Sequence, residues 1–291
     1  MKITIASGKG GVGKSMLASA LAMLFAQKQK VVAVDADVDA PNLHLWLGEK
    51  EKWDKVEKIS VSERAVIDQK KCTSCGRCVD ICTFDALSIN NSKLIINNYF
   101  CEGCGACEVV CPEKAIKMKP IKNAEIRIKK NVYGFPLISA QLYPGETGSG
   151  KIVDEIKRKA EEFKSEMMIL DSPAGTGCPV IAALNGTDFA VLVTEPTPSG
   201  FSDLKRVLTI VEHFKIPYGV VINKYDINLE ETKKIEKWAL RQARGKLLGK
   251  IGYDQRIFQA IAQLKPILET DLPLKKEIQI IYDRLRRRLS L

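Results

Sequence analysis

Apolar residues fall along this chain in short, dense runs separated by polar stretches of helical length. Residues 2–6, 31–34, 167–170, 189–193, 218–222 and 247–251 are such runs, the pattern of strands buried on both faces. Between them the apolar positions shift to a spacing of three and four. Leu17, Leu21, Leu24 and Phe25 mark one stripe, and Leu204, Val207, Leu208 and Val211 another. Buried strands joined by helices predict an α/β fold: a mostly parallel sheet with helices on both faces. A last stripe, Ile278, Ile281, Leu285 and Leu289, runs beside Arg284, Arg286, Arg287 and Arg288. It predicts a final helix packed on the sheet, although an amphipathic membrane-surface helix combines the same features.

One stretch breaks the pattern. Residues 62–119 hold close cysteines, short strands and turn residues, and no long helical stripe. Within it the chain repeats at an offset of 29, with Cys72, Cys75, Cys78 and Cys82 recurring as Cys101, Cys104, Cys107 and Cys111. Each half runs on into a similar tail, Phe84-Asp-Ala-Leu-Ser-Ile and Pro112-Glu-Lys-Ala-Ile-Lys. A repeat this tight predicts a duplicated module. The α/β pattern exists before it and resumes after it, so the expected organisation is a discontinuous domain, 1–61 and 120–291, with 62–119 inserted. The glycine-rich residues 144–150 predict a mobile loop before a helix that begins near Lys151.

Composition sharpens the picture at two points. Eight of the nine cysteines lie in residues 72–111, which argues for metal ligation and against a secreted disulfide framework. His44 and His213 stand far apart and are expected as ordinary core or solvated histidines. No apolar run is long enough to span a bilayer, and Met1-Lys-Ile-Thr-Ile-Ala lacks the pattern of a signal peptide, so a cytoplasmic protein is expected. The formal charge of +10 fits a lysine-rich solvated surface better than a strong nucleic-acid or membrane signal.

Gly8-Lys-Gly-Gly-Val-Gly-Lys14-Ser15 follows the first strand and opens the first helix. Gly8, Gly10, Gly11, Val12 and Gly13 there supply backbone N–H groups for a phosphate, and the helix N-terminus adds a favourable field. Lys14 is expected on the β- and γ-phosphates of ATP and the Ser15 hydroxyl on Mg²⁺. With Lys9 as a second lysine, the motif resembles the deviant Walker A loop of the MinD/ParA/Mrp class of ATPases, which includes the nitrogenase iron protein. Asp35-Ala-Asp37, followed by Asn42, resembles the switch I segment of that class, and Asp171-Ser-Pro-Ala-Gly175 its switch II. The resemblance implies that Asp37 orients the attacking water, that Asp171 holds Mg²⁺ through water and that Gly175 senses the γ-phosphate. It further implies that Asn223 contacts the adenine, and that Lys9 reaches the nucleotide of a second copy in an ATP-bound homodimer. Asp39 is expected as a plain surface carboxylate.

The two cysteine runs, Cys-x2-Cys-x2-Cys-x3-Cys, match the bacterial ferredoxin run, in which the fourth cysteine serves the other cluster. Residues 70–119 resemble a two-cluster ferredoxin. The resemblance implies two 4Fe–4S clusters, one on Cys72, Cys75, Cys78 and Cys111 and the other on Cys101, Cys104, Cys107 and Cys82. Counting eight thiolates and two 2+ cores brings the net charge to roughly +6. Gly76 and Gly105 suit the tight loops, and Thr83 stands where the second half has Pro112. Zinc is the rival ligand for Cys-x2-Cys pairs. Cys178 stands alone, as a small buried residue at a helix start or as a third, subunit-bridging metal ligand.

The combined architecture resembles MinD-type ATPases with an inserted ferredoxin domain. That likeness implies ATP-gated electron transfer to a redox partner. A metallocofactor assembly or carrier protein is the alternative, and a ParA/MinD-like positioning ATPase ranks third.

Overall fold

The computed structural model describes residues 1–50, 52–242 and 245–291. The chain divides into two compact units. The first comprises Met1–Val56, Ile126–Gln141 and Ser149–Leu291, and the second Glu57–Glu125 and Leu142–Gly148. The second unit is therefore wider than the cysteine segment 62–119, and it takes in most of the glycine-rich loop. Asn123 accounts for part of this, because its side chain accepts from Val61 N–H at 3.0 Å and donates to Thr147 O at 2.9 Å.

In chain order the elements begin with β1 (Lys2–Ser7), α1 (Lys14–Ala26), β2 (Val31–Asp35), α2 (Leu43–Trp46) and β3 (Lys55–Ile59). The second unit carries β4 (Ser62–Ile67), α3 (Arg77–Asp80), β5 (Leu87–Asn90), β6 (Lys93–Ile96), α4 (Ala106–Val109) and β7 (Ile116–Ile121). β8 (Ala124–Lys130), β9 (Pro136–Leu142), α5 (Ser149–Glu161), β10 (Met167–Ala174), α6 (Cys178–Leu184) and β11 (Phe189–Thr194) follow. The chain closes with α7 (Pro198–His213), β12 (Tyr218–Asn223), α8 (Leu229–Arg241), β13 (Gly245–Ile251), α9 (Arg256–Ala262) and α10 (Leu274–Arg288).

All six expected strands form. They lie in one sheet of order β13-β12-β11-β1-β10-β2-β9-β8-β3, in which β1 pairs in parallel with both β10 and β11. Alternate residues of each strand feed different cores. Phe189, Val191 and Val193 of β11 join the core with α1 and α10, while Ala190 and Leu192 join the one with α6, α7 and α8. This is the period-two consequence of a sheet covered on both faces. Helix α1 is buried nearly all round, from Met16 to Phe25, so the stripe read from its sequence understates it. α10 covers one side of α1, with Tyr282 edge-on to Phe25 at 4.8 Å between ring centres.

α10 itself buries Ile278, Ile281, Tyr282 and Leu285, the packed final helix of the two possibilities. Arg284 donates to Leu248 O at 3.1 Å, which covers a carbonyl of the edge strand β13. No helix among the described residues is long and apolar enough to cross a membrane.

The second unit is built from much less. β4 and β7 pair antiparallel from Ser62↔Ile121 to Ile67↔Ile116, and β5 and β6 form a hairpin. The hairpin turn, Asn91-Ser92, has both residues at positive φ, 48° and 58°, as a type I′ turn demands. The repeat in the sequence is also a repeat of backbone. Left-handed residues recur 29 apart at Ser74 and Gly103, Gly76 and Gly105, and Asp85 and Lys114, and α3 recurs as α4 at the same offset.

Candidate functional site

Two kinds of site emerge, one in each unit. In the first unit a cavity of about 340 Å³ opens where β1, β10, β2 and β12 end, lined by Gly10, Gly11, Gly13, Lys14, Ser15, Asp37, Asn42 and Asn223 among others. Carboxyl ends of parallel strands on either side of a central strand are where such sheets bind ligands, because the connections diverge there. The loop between β1 and α1 leads into the N-terminus of α1, whose cap is Gly13 at φ 93°. Only glycine fits at that position. Besides the left-handed φ, a Cβ there would sit 2.3 Å from Asn223 Nδ2.

Lys14 is buried, and burial lowers its pKa against the pull of Asp171 and Asp37. Asp171 is 1% exposed, and burial pushes it up to about 7, although the Ser15 hydroxyl and Lys14 hold it down. Its Oδ1 is buried without a hydrogen-bond partner among the described residues. A buried carboxylate oxygen left bare costs free energy, and a hydrated divalent cation beside Ser15 would satisfy it. The donor set thus fits Mg²⁺, which Ser15 and Asp171 would hold.

Asp37 is half-buried, and its pKa is raised by burial against a backbone N–H from Ala40 and the charge of Lys14. Asp35 holds this loop in place. It is almost wholly buried and accepts from Asp37 N–H at 3.2 Å and Leu43 N–H at 2.9 Å, pinning both ends of residues 37–43. Burial, then the neighbouring Asp171, raises the Asp35 pKa well above the usual carboxylate range. Gly175 has φ 98° with open space where a side chain would be, and its N–H donates to Ser7 O at 3.0 Å. Asp39 is exposed, as expected.

Asn223 lines the cavity, yet its amide is already engaged. Nδ2 donates to Val12 O at 2.8 Å, and Oδ1 accepts from Lys224 N–H at 3.0 Å. It ties the phosphate loop to the end of β12. Tyr253, Ile257 and Phe258 complete the wall of the cavity, and pattern reading did not find them. Glu195 was also missed. It stands one residue past β11 and pairs with Lys9 at 2.7 Å and Lys224 at 3.3 Å. The signal was available, since Glu195 comes just past the end of an apolar run, as Asp35 and Asp171 do.

In the second unit the eight cysteines gather around two small cavities. Cys72, Cys75, Cys78 and Cys111 line one, and Cys82, Cys101, Cys104 and Cys107 the other. Burial raises the thiol pKa of Cys78, and pushes that of Cys107 up to about 11, with neighbouring cysteines adding to both. Among the described residues no three His, Cys, Asp or Glu side chains converge as ligands on a single metal ion. A cubane takes one thiolate at each of four corners, so its ligands surround a space instead of meeting at a point. Four thiols around each cavity fit that donor set. Cys178 corrects an expectation. It opens α6 as foreseen but is exposed, not buried, because the following Val180, Ala183 and Leu184 carry the buried face.

A mostly parallel α/β sheet with a phosphate loop, a buried carboxylate beside it and an adjoining nucleoside-sized cavity defines a P-loop nucleotide-binding protein. Residues 3–267 match the CobQ/CobB/MinD/ParA nucleotide binding domain, and the chain belongs to that family. An uncharacterized protein of Methanocaldococcus jannaschii is 43% identical over 228 residues, covering 78% of this chain and 79% of its own length. The septum site-determining protein MinD of Escherichia coli K12 is 25% identical over 279 residues, covering 91% of this chain and 83% of its own. The solved structure of septum site-determining protein MinD from Pyrococcus horikoshii, complexed with Mg-ADP, aligns with a TM-score of 0.59 at 17% identity. That alignment covers 99% of this chain and 97% of the other.

Proposed function

We propose that the first unit works as a MinD/ParA-type ATPase that switches between ATP-bound and ADP-bound states. The observation that carries this reading is the convergence of Lys14, Ser15, Asp37 and Asp171 at one phosphate loop. Lys14 and the loop N–H groups bind the β- and γ-phosphates, and Ser15 and Asp171 hold Mg²⁺. Asp37 orients the water. Lys9 is not among the residues that line the chain's own cavity, and it serves a second copy in an ATP-dependent pair. The named relatives favour the positioning class, ranked third from sequence, over ATP-gated electron transfer. Light scattering and phosphate release test the reading. Pairing with ATP and not ADP, with slow release of phosphate, is expected, and a protein that stays single and releases none overturns it.

A second reading concerns the other unit, and the two four-cysteine cavities favour it: they hold two 4Fe–4S clusters. Such clusters, when bound, supply one-electron chemistry. The cysteines hold the corners, while Leu94 and Ile116 line one cavity and Phe84, Leu87, Ile96 and Met118 the other, limiting water. Electron transfer and a redox or cofactor-assembly partner rest on these cysteines alone. Anaerobic iron analysis decides it. About eight irons per chain are expected, and an iron-free protein without broad visible absorbance overturns it.

A further inference from the structure

Glu195 lies in no motif, yet its carboxylate joins two lysines of the nucleotide site. Its side chain is 10% exposed, with Lys9 Nζ 2.7 Å from Oε1 and Lys224 Nζ 3.3 Å from Oε2. Lys224 also reaches Gly11 O at 3.3 Å and lines the cavity, whereas Lys9 does not. The second lysine of the phosphate loop is thus turned away from its own chain's phosphate site and held by Glu195.

We propose that Glu195 is a positioning residue that latches Lys9 in the unpaired chain and yields it to the nucleotide phosphates of a second copy. The latch rests on the pairing reading given above. Its chemistry depends on the shared carboxylate. Losing one partner of a buried ion pair strands a charge, but Glu195 keeps Lys224 when Lys9 leaves. Phosphate oxygens, with more charge and more acceptors than one carboxylate, then compete for the ammonium. The hydrogen bond to Glu195, with its charge, raises the Lys9 pKa. Burial alone would raise that of Glu195, and the two lysines overcome it, leaving it lowered.

Two measurements test the latch. The first is competitive acylation of lysines in the ADP-bound protein, read by mass spectrometry. The second is ATP-dependent pairing by light scattering in wild type, Glu195→Gln, Lys9→Ala and the double variant. Glu195→Gln is expected to raise labelling of Lys9 about fivefold and to lower the concentration for half-pairing by about as much or more, since two latches open per pair. The pairing shift should vanish in the Lys9→Ala background, which isolates the coupling between the two side chains. Unchanged Lys9 labelling in folded Glu195→Gln, or an equal pairing shift without Lys9, overturns the latch while pairing itself stands. If no variant pairs with ATP, the pairing reading and the latch fall together. Should Glu195→Gln not fold, Glu195→Asp, with a shorter reach, takes its place with the same expected direction.

Discussion

The nucleotide cavity and the cysteine cavities are assembled in opposite ways. The first draws its side chains from strand ends far apart in sequence, and a large core holds those strands whether or not a ligand is present. The second draws three of the four cysteines of each set from one run of seven residues, 72–78 or 101–107, and the thiols are themselves much of the core. Its buried apolar cluster is Ala65, Cys78, Leu87, Leu94, Cys107 and Ile116, with Cys72, Cys82, Cys101 and Cys111 packed against it. A unit this small rarely folds on apolar burial alone. In one case the site is a product of the fold, and in the other, on the cluster reading proposed above, it is a condition of it.

That contrast is most exposed when each site is disabled and the other is watched. Lys14→Ala should lower ATP hydrolysis about 10²–10³-fold, by removing a charge that stabilises the transferring phosphoryl group. Iron content per chain should not change. Loss of iron in that variant would show that the cysteine unit depends on the nucleotide site.

The converse variant, Cys78→Ser with Cys111→Ser, should halve the iron from about eight to about four per chain. Hydrogen exchange over residues 57–125 should speed up, while ADP affinity stays within about twofold, as independent sites do. Retained slow exchange would mean that the fold of the unit does not depend on a metal held by these cysteines.

The smallest expected effect is a pH dependence confined to the first unit. Asp171 is raised to about 7 from the ordinary 3.8, and Asp35 is raised as well. Between those values the folded chain binds more protons than the unfolded one, so stability should fall as pH rises from about 4 to 7. The melting temperature without ligand should drop by about 2–4 °C for each kcal/mol involved, and Mg-ADP should restore more of it at pH 7 than at pH 5. A melting temperature that rises over this interval would remove the buried pair as the cause.

Much of this was legible in the residues. Apolar runs announced the six strands, because a strand covered on both faces leaves few polar positions. The weaker strands β3, β8 and β9 escaped. β3 was the hardest to read, since Lys55, Glu57 and Lys58 leave it only Val56 and Ile59 as apolar positions and none of its residues is buried. Lys14 and Ser15 were legible because a phosphate loop is local: one run of eight residues carries both the turn and the chemistry. Three cysteines of each set were legible for a similar reason, close spacing along one short loop, while the fourth, Cys111 or Cys82, comes from the other half of the repeat and was placed only through the ferredoxin resemblance.

Near neighbours along the chain therefore suffice for the strands, the loop glycines and the duplicated cysteines. The remaining features belong to the folded sheet. That Asn223 ties down Val12 and that Glu195 holds Lys9 across 186 residues are facts of strand order. So are the exposure of Cys178 and the bare oxygen of Asp171. Hydrogen bonds and ion pairs act over a few ångströms, and only the assembled strands bring such distant residues within that range.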